Sequence, residues 1–278
     1  MKNLFKYEIL RFTQNDKNDK MKALKIIKIG GNIIDQPDAL DDFLSEFSKL
    51  EEPKLLVHGG GKLATDLAEK LNVEVKLVDG KRITDINTLD IITMVYAGKI
   101  NKKIISKLQR NHCNSIGFTG ADGNTILSDK RPDKPIDFGY VGDIKHVNIE
   151  TIQLLLKQHI TPVFCAITHD GNGQLLNTNA DTIASEIAIA FSELYNVELY
   201  YCFEKSGVLQ NVEDDNSVIK NIDKNSYAKL LEQNNIAAGM LPKLANAFHA
   251  INNQVHKVCI GKPEMLFNKN SKFTTIQN

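Results

Sequence analysis

Along this chain, short apolar runs alternate with longer stretches in which apolar residues return every three or four positions. Residues 24–29, 54–58, 115–118, 161–165, 197–201 and 257–260 are brief and rich in β-branched side chains, the pattern of buried strands. Residues 38–50, 62–71, 87–110, 149–158, 180–191 and 241–252 carry the helical period. Pro37 and the acidic residues behind it suit the start of the 38–50 helix. Residues 123–146, rich in Gly, Pro and Asp, predict hairpins. Strand–helix alternation of this kind builds a mostly parallel central sheet with helices on both faces, a three-layer αβα sandwich of the α/β class. Such sheets bind ligands outside the carboxyl ends of their strands. Candidate chemistry is therefore sought in the turns that follow strands.

Residues 1–20 stand apart. The run 11–20 (RFTQNDKNDK) is polar and has no periodic apolar face, and Met21 precedes the first clean apolar run. The segment is expected to be a disordered and dispensable extension. The alternative is a short amphipathic arm over residues 2–12 that docks on a partner subunit. The remainder is expected to form two lobes, 21–176 and 177–278.

Composition narrows the partners. Among 278 residues, 34 basic side chains balance 34 acidic ones, so no positive excess points to nucleic acid or an anionic membrane. Cys113, Cys165, Cys202 and Cys259 are far apart and form no CxxC pair. Neither a metal site nor a disulfide framework is expected of them, and they read as small buried hydrophobes. No apolar run approaches the roughly 20 residues that span a bilayer. The polar N-terminus lacks the core of a signal peptide, so the expected location is the cytoplasm.

Five turns carry candidate chemistry. Lys28-Ile29-Gly30-Gly31 ends the first strand, where glycine N–H groups approach an anion and Lys28 adds a point charge; a plain β–α turn is the alternative. His58-Gly59-Gly60-Gly61-Lys62 opens a helix and makes a second anion cradle. It is not a Walker A loop, yet Gly59, Gly61 and Ala64 satisfy G-x-G-x-x-A, and Asp79 follows 20 residues after Gly59. A nicotinamide-dependent oxidoreductase is thus a competing class. His58 itself reads as a structural strand-end residue. In Gly80-Lys81-Arg82-Ile83-Thr84 the guanidinium suits a two-point grip on a carboxylate, with a solvated loop arginine as the alternative. Asn177-Thr178-Asn179-Ala180-Asp181 leads into a helix; its polar groups serve either a ligand or the helix cap. In Gly239-Met240-Leu241-Pro242-Lys243 a lysine sits near a helix N-terminus, where the dipole disfavours it unless an anion binds between them.

Taken in order, these segments resemble the N-acetylglutamate kinases of the amino acid kinase superfamily, over about residues 24–267. The resemblance implies the amino acid kinase fold and transfer of the ATP γ-phosphoryl group to the side-chain carboxylate of N-acetyl-L-glutamate, in arginine biosynthesis. It implies that Lys28 and Lys243 stabilise the transferred group and that Asp181 orients them. Gly60, Gly61, Arg82 and Asn177 match the acyl-glutamate site, and Gly31 and Asn179 line the phosphoryl-transfer region. Glu204-Lys205-Ser206-Gly207-Val208-Leu209 matches the adenine-nucleotide loop. On this resemblance the 21–176 lobe binds acyl-glutamate and the 177–278 lobe binds ATP, with Mg²⁺ carried on its phosphates and no dedicated metal site.

Three departures from the family pattern stand out: Glu204 where Asp is usual, Ala238 where a polar residue is common, and a tail, Phe273-Thr274-Thr275-Ile276, without the usual Gly-Thr pair. On this resemblance, the altered tail and the polar 13–20 run imply an arginine-insensitive homodimer. N-succinylglutamate as substrate and a non-catalytic amino-acid sensor of the same fold are the further alternatives; retention of both lysines and Asp181 speaks against the sensor.

Overall fold

The computed structural model describes residues 22–78, 80–211, 213–232 and 239–277. The expectations for residues 1–20, Asp79 and Ala238 fall outside the described residues.

Eight strands form the central sheet in the order β12-β14-β13-β11-β1-β2-β8-β5. They are β1 (Ala23–Ile29), β2 (Lys54–His58), β5 (Ser115–Phe118), β8 (Thr161–Cys165), β11 (Asn196–Cys202), β12 (Asn221–Ile222), β13 (Lys257–Gly261) and β14 (Thr274–Ile276). All neighbours are parallel except β13 and β14. β2 and β8 are buried at every position, as a parallel sheet covered on both faces requires. The two lysine- and glycine-bearing turns, after β1 and β2, therefore leave adjacent strands at the same edge of the sheet.

The helices are α1 (Gly31–Asp35), α2 (Pro37–Ser48), α3 (Gly61–Lys70), α4 (Ile86–Thr93), α5 (Asn101–Arg110), α6 (Ile149–Lys157), α7 (Ala180–Phe191), α8 (Lys224–Glu232) and α9 (Leu241–Asn252). Leu40, Phe43, Leu44 and Phe47 of α2 follow the i, i+3, i+4, i+7 spacing and are all buried. Each such side chain contributes roughly 1.5–3 kcal/mol relative to exposure. The buried Lys54 Nζ then closes α2, donating to the carbonyls of Phe47 (2.8 Å), Ser48 (3.1 Å) and Leu50 (2.6 Å). Asp85 caps α4 through the Thr88 N–H at 2.8 Å, and Asn148 caps α6 through the Glu150 N–H at 3.1 Å.

The structure adds what periodicity did not reveal. The 87–110 helix runs from α4 to α5 through a π-helical segment, Met94–Ile100. The hairpin expected in 123–146 is present as β6 (Ile126–Lys130) and β7 (Gly142–Val147), but it belongs to a second, four-stranded sheet with β9 (Ile167–His169) and β10 (Leu175–Asn177). A small hairpin, β3 (Leu77–Val78) with β4 (Lys81–Arg82), carries Arg82. α1, α8, β12 and β14 were likewise not predicted; strands of two or three residues are too short to show a period. All four cysteines are buried and free.

Candidate active site

Two cavities open at the carboxyl ends of the central strands. The larger, about 860 Å³, has Gly60, Gly61, Arg82, Asn177, Asn179 and Asp181 on its walls. The smaller, about 530 Å³, has Glu204, Lys205, Gly207, Val208, Leu209 and Lys243. Both volumes suit small-molecule ligands. Lys28, Gly30 and Gly31 line both cavities, so the turn after β1 is where they meet.

At that junction Asp181, in the first turn of α7, stands between two lysines. Lys243 Nζ donates to Oδ2 at 2.7 Å. Lys28 Nζ lies 2.7 Å from Oδ1 as an ion pair, its angle outside hydrogen-bond geometry. Burial alone would raise the carboxyl's pKa; the Lys28 and Lys243 ammoniums overcome it and hold the group down to about 2. Three elements supply the cluster: the end of β1, the start of α7 and the start of α9. Pro242 occupies the first turn of α9, as expected, and sets Lys243 near that helix's N-terminus. Buried Tyr201 supports α7 by donating from Oη to the Asp181 carbonyl at 3.1 Å.

On the larger cavity, Gly60 has φ +152°, and a Cβ there would strike Ile100 Cδ1 and come within 3.2 Å of the Tyr96 ring. Only glycine lets α3 open on the cavity at this point. Arg82 Nη2 donates to the Gly61 carbonyl (3.1 Å) and to Thr65 Oγ1 (2.8 Å), which fixes the guanidinium against the start of α3. Asn177 Nδ2 donates to Thr84 Oγ1 at 3.0 Å. Asn179 is the N-cap of α7: its Oδ1 accepts from the N–H groups of Asp181 (2.7 Å) and Thr182 (3.2 Å). The capping alternative is therefore correct for its oxygen, while the residue still lines the cavity.

His58 is fully buried, and desolvation lowers its pKa to about 4. Asn101 Nδ2 donates to Nε2 at 3.1 Å, which leaves Nδ1–H to donate to the Gly59 carbonyl at 2.8 Å. It is the neutral structural residue that its position predicted. In the loop after β11, Ser206 is the one matched residue that does not line the nucleotide-side cavity.

The sequence reading missed Tyr96 and Arg131 on the larger cavity and Asp35 on the smaller, and it gave Lys62, named with its cradle, no role of its own. Tyr96 comes from the π-helical segment, a feature frequent at functional sites that periodicity does not encode. Asp35 and Lys62 had a signal, each lying within four residues of a glycine cradle.

Comparison with known proteins fits this geometry. Residues 23–262 match the amino acid kinase family. An acetylglutamate kinase of Cytophaga hutchinsonii is 55% identical over 247 residues, 88% of this chain and 94% of the relative. One from Methanopyrus kandleri is 32% identical over 82% of this chain and 90% of its own. A crystal structure from Streptococcus mutans superposes with a TM-score of 0.77 at 26% identity, covering 91% and 98% of the two chains. Giardia carbamate kinase, at 15% identity with a TM-score of 0.68 and coverage of 94% and 100%, shares the fold. These matches displace the oxidoreductase reading of the Gly59–Ala64 turn, and the chain belongs to the amino acid kinase family, among its acetylglutamate kinases.

Proposed function

We propose that this chain transfers the γ-phosphoryl group of ATP to the side-chain carboxylate of N-acetyl-L-glutamate, giving the acyl phosphate and ADP, as the kinase step of arginine biosynthesis. The observation that carries the residue-level reading is the meeting of two cavities at Lys28, Gly30 and Gly31 beside the Lys28–Asp181–Lys243 cluster. A carboxylate oxygen of the acceptor attacks the γ-phosphorus, the bond to the β–γ bridging oxygen breaks, and that oxygen leaves with ADP. The nucleophile is already an anion, so no general base is required. The barrier is repulsion between anions and charge spread over the moving group, which positioning and fixed cations lower.

In this reading Lys28 and Lys243 face the transferred group from the two sides of the cluster, and Asp181 holds both ammoniums in place. Arg82 uses Nη2 on α3 and has its remaining donors for an acceptor carboxylate. Gly60, Gly61 and Asn177 complete the acceptor site, with Gly31 and Asn179 between the two substrates. Glu204, Lys205, Gly207, Val208 and Leu209 wall the nucleotide. We assign acceptor binding chiefly to lobe 21–176, with Asn177 from the second lobe, and nucleotide binding chiefly to lobe 177–278, with Asp35 from the first.

Among the described residues no group of three His, Cys, Asp or Glu side chains can hold a metal ion by itself. Mg²⁺ fits instead as a companion of the phosphates. Asp35 Oδ1 is buried on the nucleotide-side cavity without a hydrogen-bond partner, and burial raises the group's pKa. Asp35 would help hold the ion, and the ion would supply neutralisation of phosphate charge.

No described helix is long and apolar enough to cross a membrane. We propose a cytoplasmic homodimer; Ile116, 42% exposed on the edge strand β5, supports a partnered face. A second reading, N-succinyl-L-glutamate as acceptor, is favoured by Lys81 and Arg131 on the wall that carries Arg82. An ATP-dependent hydroxamate assay tests both. N-Acetyl-L-glutamate is expected to give product with the higher kcat/KM. Preference for the succinyl compound selects the second reading, and turnover of neither removes the function.

A further inference from the structure

The tail that departs from the family pattern has a place beside the nucleotide loop. Thr274, at the start of β14, is fully buried. Its hydroxyl accepts from the Val208 N–H at 2.8 Å and donates to the Ile219 carbonyl at 2.7 Å. The Ile219 N–H in turn donates to the Val208 carbonyl at 2.8 Å. One hydroxyl thus joins three segments: the loop that walls the smaller cavity, the irregular segment that returns from it ahead of β12, and the C-terminal strand.

Packing around this point leaves the loop little freedom. A Cβ on Gly207 would lie 2.6 Å from Thr274 Oγ1, 2.8 Å from Val218 Cγ1 and 3.1 Å from the Thr274 nitrogen. A Cβ on Gly261, at the end of β13, would lie 2.8 Å from the Ser206 carbonyl oxygen and 2.9 Å from Phe273 Cβ. The loop therefore lies flat on β13 and β14. The Ser206 carbonyl oxygen faces that contact, and Ser206 does not line the cavity wall.

We propose that Thr274 is a positioning residue for ATP: its hydroxyl sets where the Gly207-Val208-Leu209 backbone stands against the nucleotide. Thr274 itself does not line the cavity, so it acts through the loop. Without the hydroxyl, the buried Val208 N–H and the part-buried Ile219 carbonyl lose their partner, and the loop must shift to recover one. The β-branched side chain restricts χ1, which pre-sets the hydroxyl for both bonds. The proposal rests on the assignment of the smaller cavity to ATP.

The test compares Thr274→Val, which keeps the shape and removes the hydroxyl, with Thr274→Ser, which keeps the hydroxyl. Steady-state KM values for ATP and N-acetyl-L-glutamate are measured, together with calorimetric binding of ADP. Thr274→Val is expected to raise KM for ATP and the ADP Kd about tenfold while KM for the acyl-glutamate stays within about twofold, and Thr274→Ser is expected to restore both nucleotide constants. A folded Thr274→Val with unchanged nucleotide constants, a parallel rise in both KM values, or a serine variant that behaves like valine overturns the proposal. Where valine does not fold, Thr274→Cys carries the same comparison. Leu209→Gln, on the cavity wall, separates the two readings. If it weakens ATP binding while Thr274→Val does not, only the positioning role falls. If it leaves ATP binding unchanged, the nucleotide assignment of the loop falls.

Discussion

Replacing Asp181 by asparagine tests the cluster at its centre. The change keeps the shape of the side chain and removes the only negative charge between Lys28 and Lys243, each 2.7 Å from a carboxylate oxygen. The carboxyl group is held at about 2, against 3.8 for a free aspartate; that gap corresponds to roughly 2 kcal/mol of stabilisation at neutral pH. Breaking a buried ion pair typically costs about 3–5 kcal/mol, because the surviving charge is stranded. Here two ammoniums remain, partly relieved by water, since the side chains of Lys28 and Lys243 are 11% and 20% exposed. A loss of about 2–4 kcal/mol follows, lowering Tm by roughly 3–7 °C for a chain of this size.

The pH dependence has a definite sign. Asp181 has its folded pKa below its unfolded value, so its contribution is complete above pH 3.8 and is lost as pH falls towards about 2. The stabilities of wild type and Asp181→Asn should therefore differ most at neutral pH and converge in that acid window. Activity should fall by about 10²–10³-fold in kcat, as for loss of one fixed transition-state contact, because both lysines lose their anchor. Differential scanning fluorimetry across pH, with steady-state kinetics at neutral pH, reads all three quantities. A Tm within about 2 °C of wild type together with kcat within about threefold would refute the reasoning, since both effects depend on the same buried charge.

Lys28→Ala and Lys243→Ala should each lower kcat by about 10²–10³-fold while circular dichroism shows the fold intact, and near-normal turnover in both would remove them from the transition state. Arg82→Lys should raise KM for the acyl-glutamate at least about tenfold and leave KM for ATP nearly unchanged, because lysine cannot bond α3 and the acceptor with one planar group; the reverse split would move Arg82 out of the acceptor site. Gly60→Ala should cost about 1–3 kcal/mol in denaturant unfolding and abolish acyl-glutamate binding, since its methyl strikes Ile100 at φ +152°; a stable variant with unchanged KM would show that the start of α3 gives way cheaply.

The parts legible in the sequence were those with a period or a backbone constraint behind them. The six predicted strands are all present, with ends shifted by at most one residue, because full burial on both faces leaves an apolar run in the sequence. The glycine turns and Pro242 announced themselves through the backbone shapes that other residues do not adopt. The second sheet was hidden, because β9 and β10 have three residues each and β9 is separated from β8 by Ala166 alone. Arg82 was visible as a candidate, yet the reason for its fixed position was not, since Thr65 and the Gly61 carbonyl reach it across 17 and 21 residues.

The Asp181 cluster marks how far sequence can reach. Nothing in the local context of Lys28 separates it from a surface lysine at the end of a strand, and Lys243 taken alone is an unfavourable charge at a helix start. Their meaning is long-range: Asp181 and Lys243 are 62 residues apart, and Lys28 comes from the first strand of the chain. The parallel order β2-β1-β11-β13 brings the turn after β1 level with the helix that follows β10 and the helix that precedes β13. Topology thus converts three individually ambiguous residues into one buried charge arrangement. The same logic applies to Thr274, whose only sequence signal was an atypical tail. Its two hydrogen bonds span 66 and 55 residues, so its tie to the nucleotide loop exists only once β14 has joined the sheet.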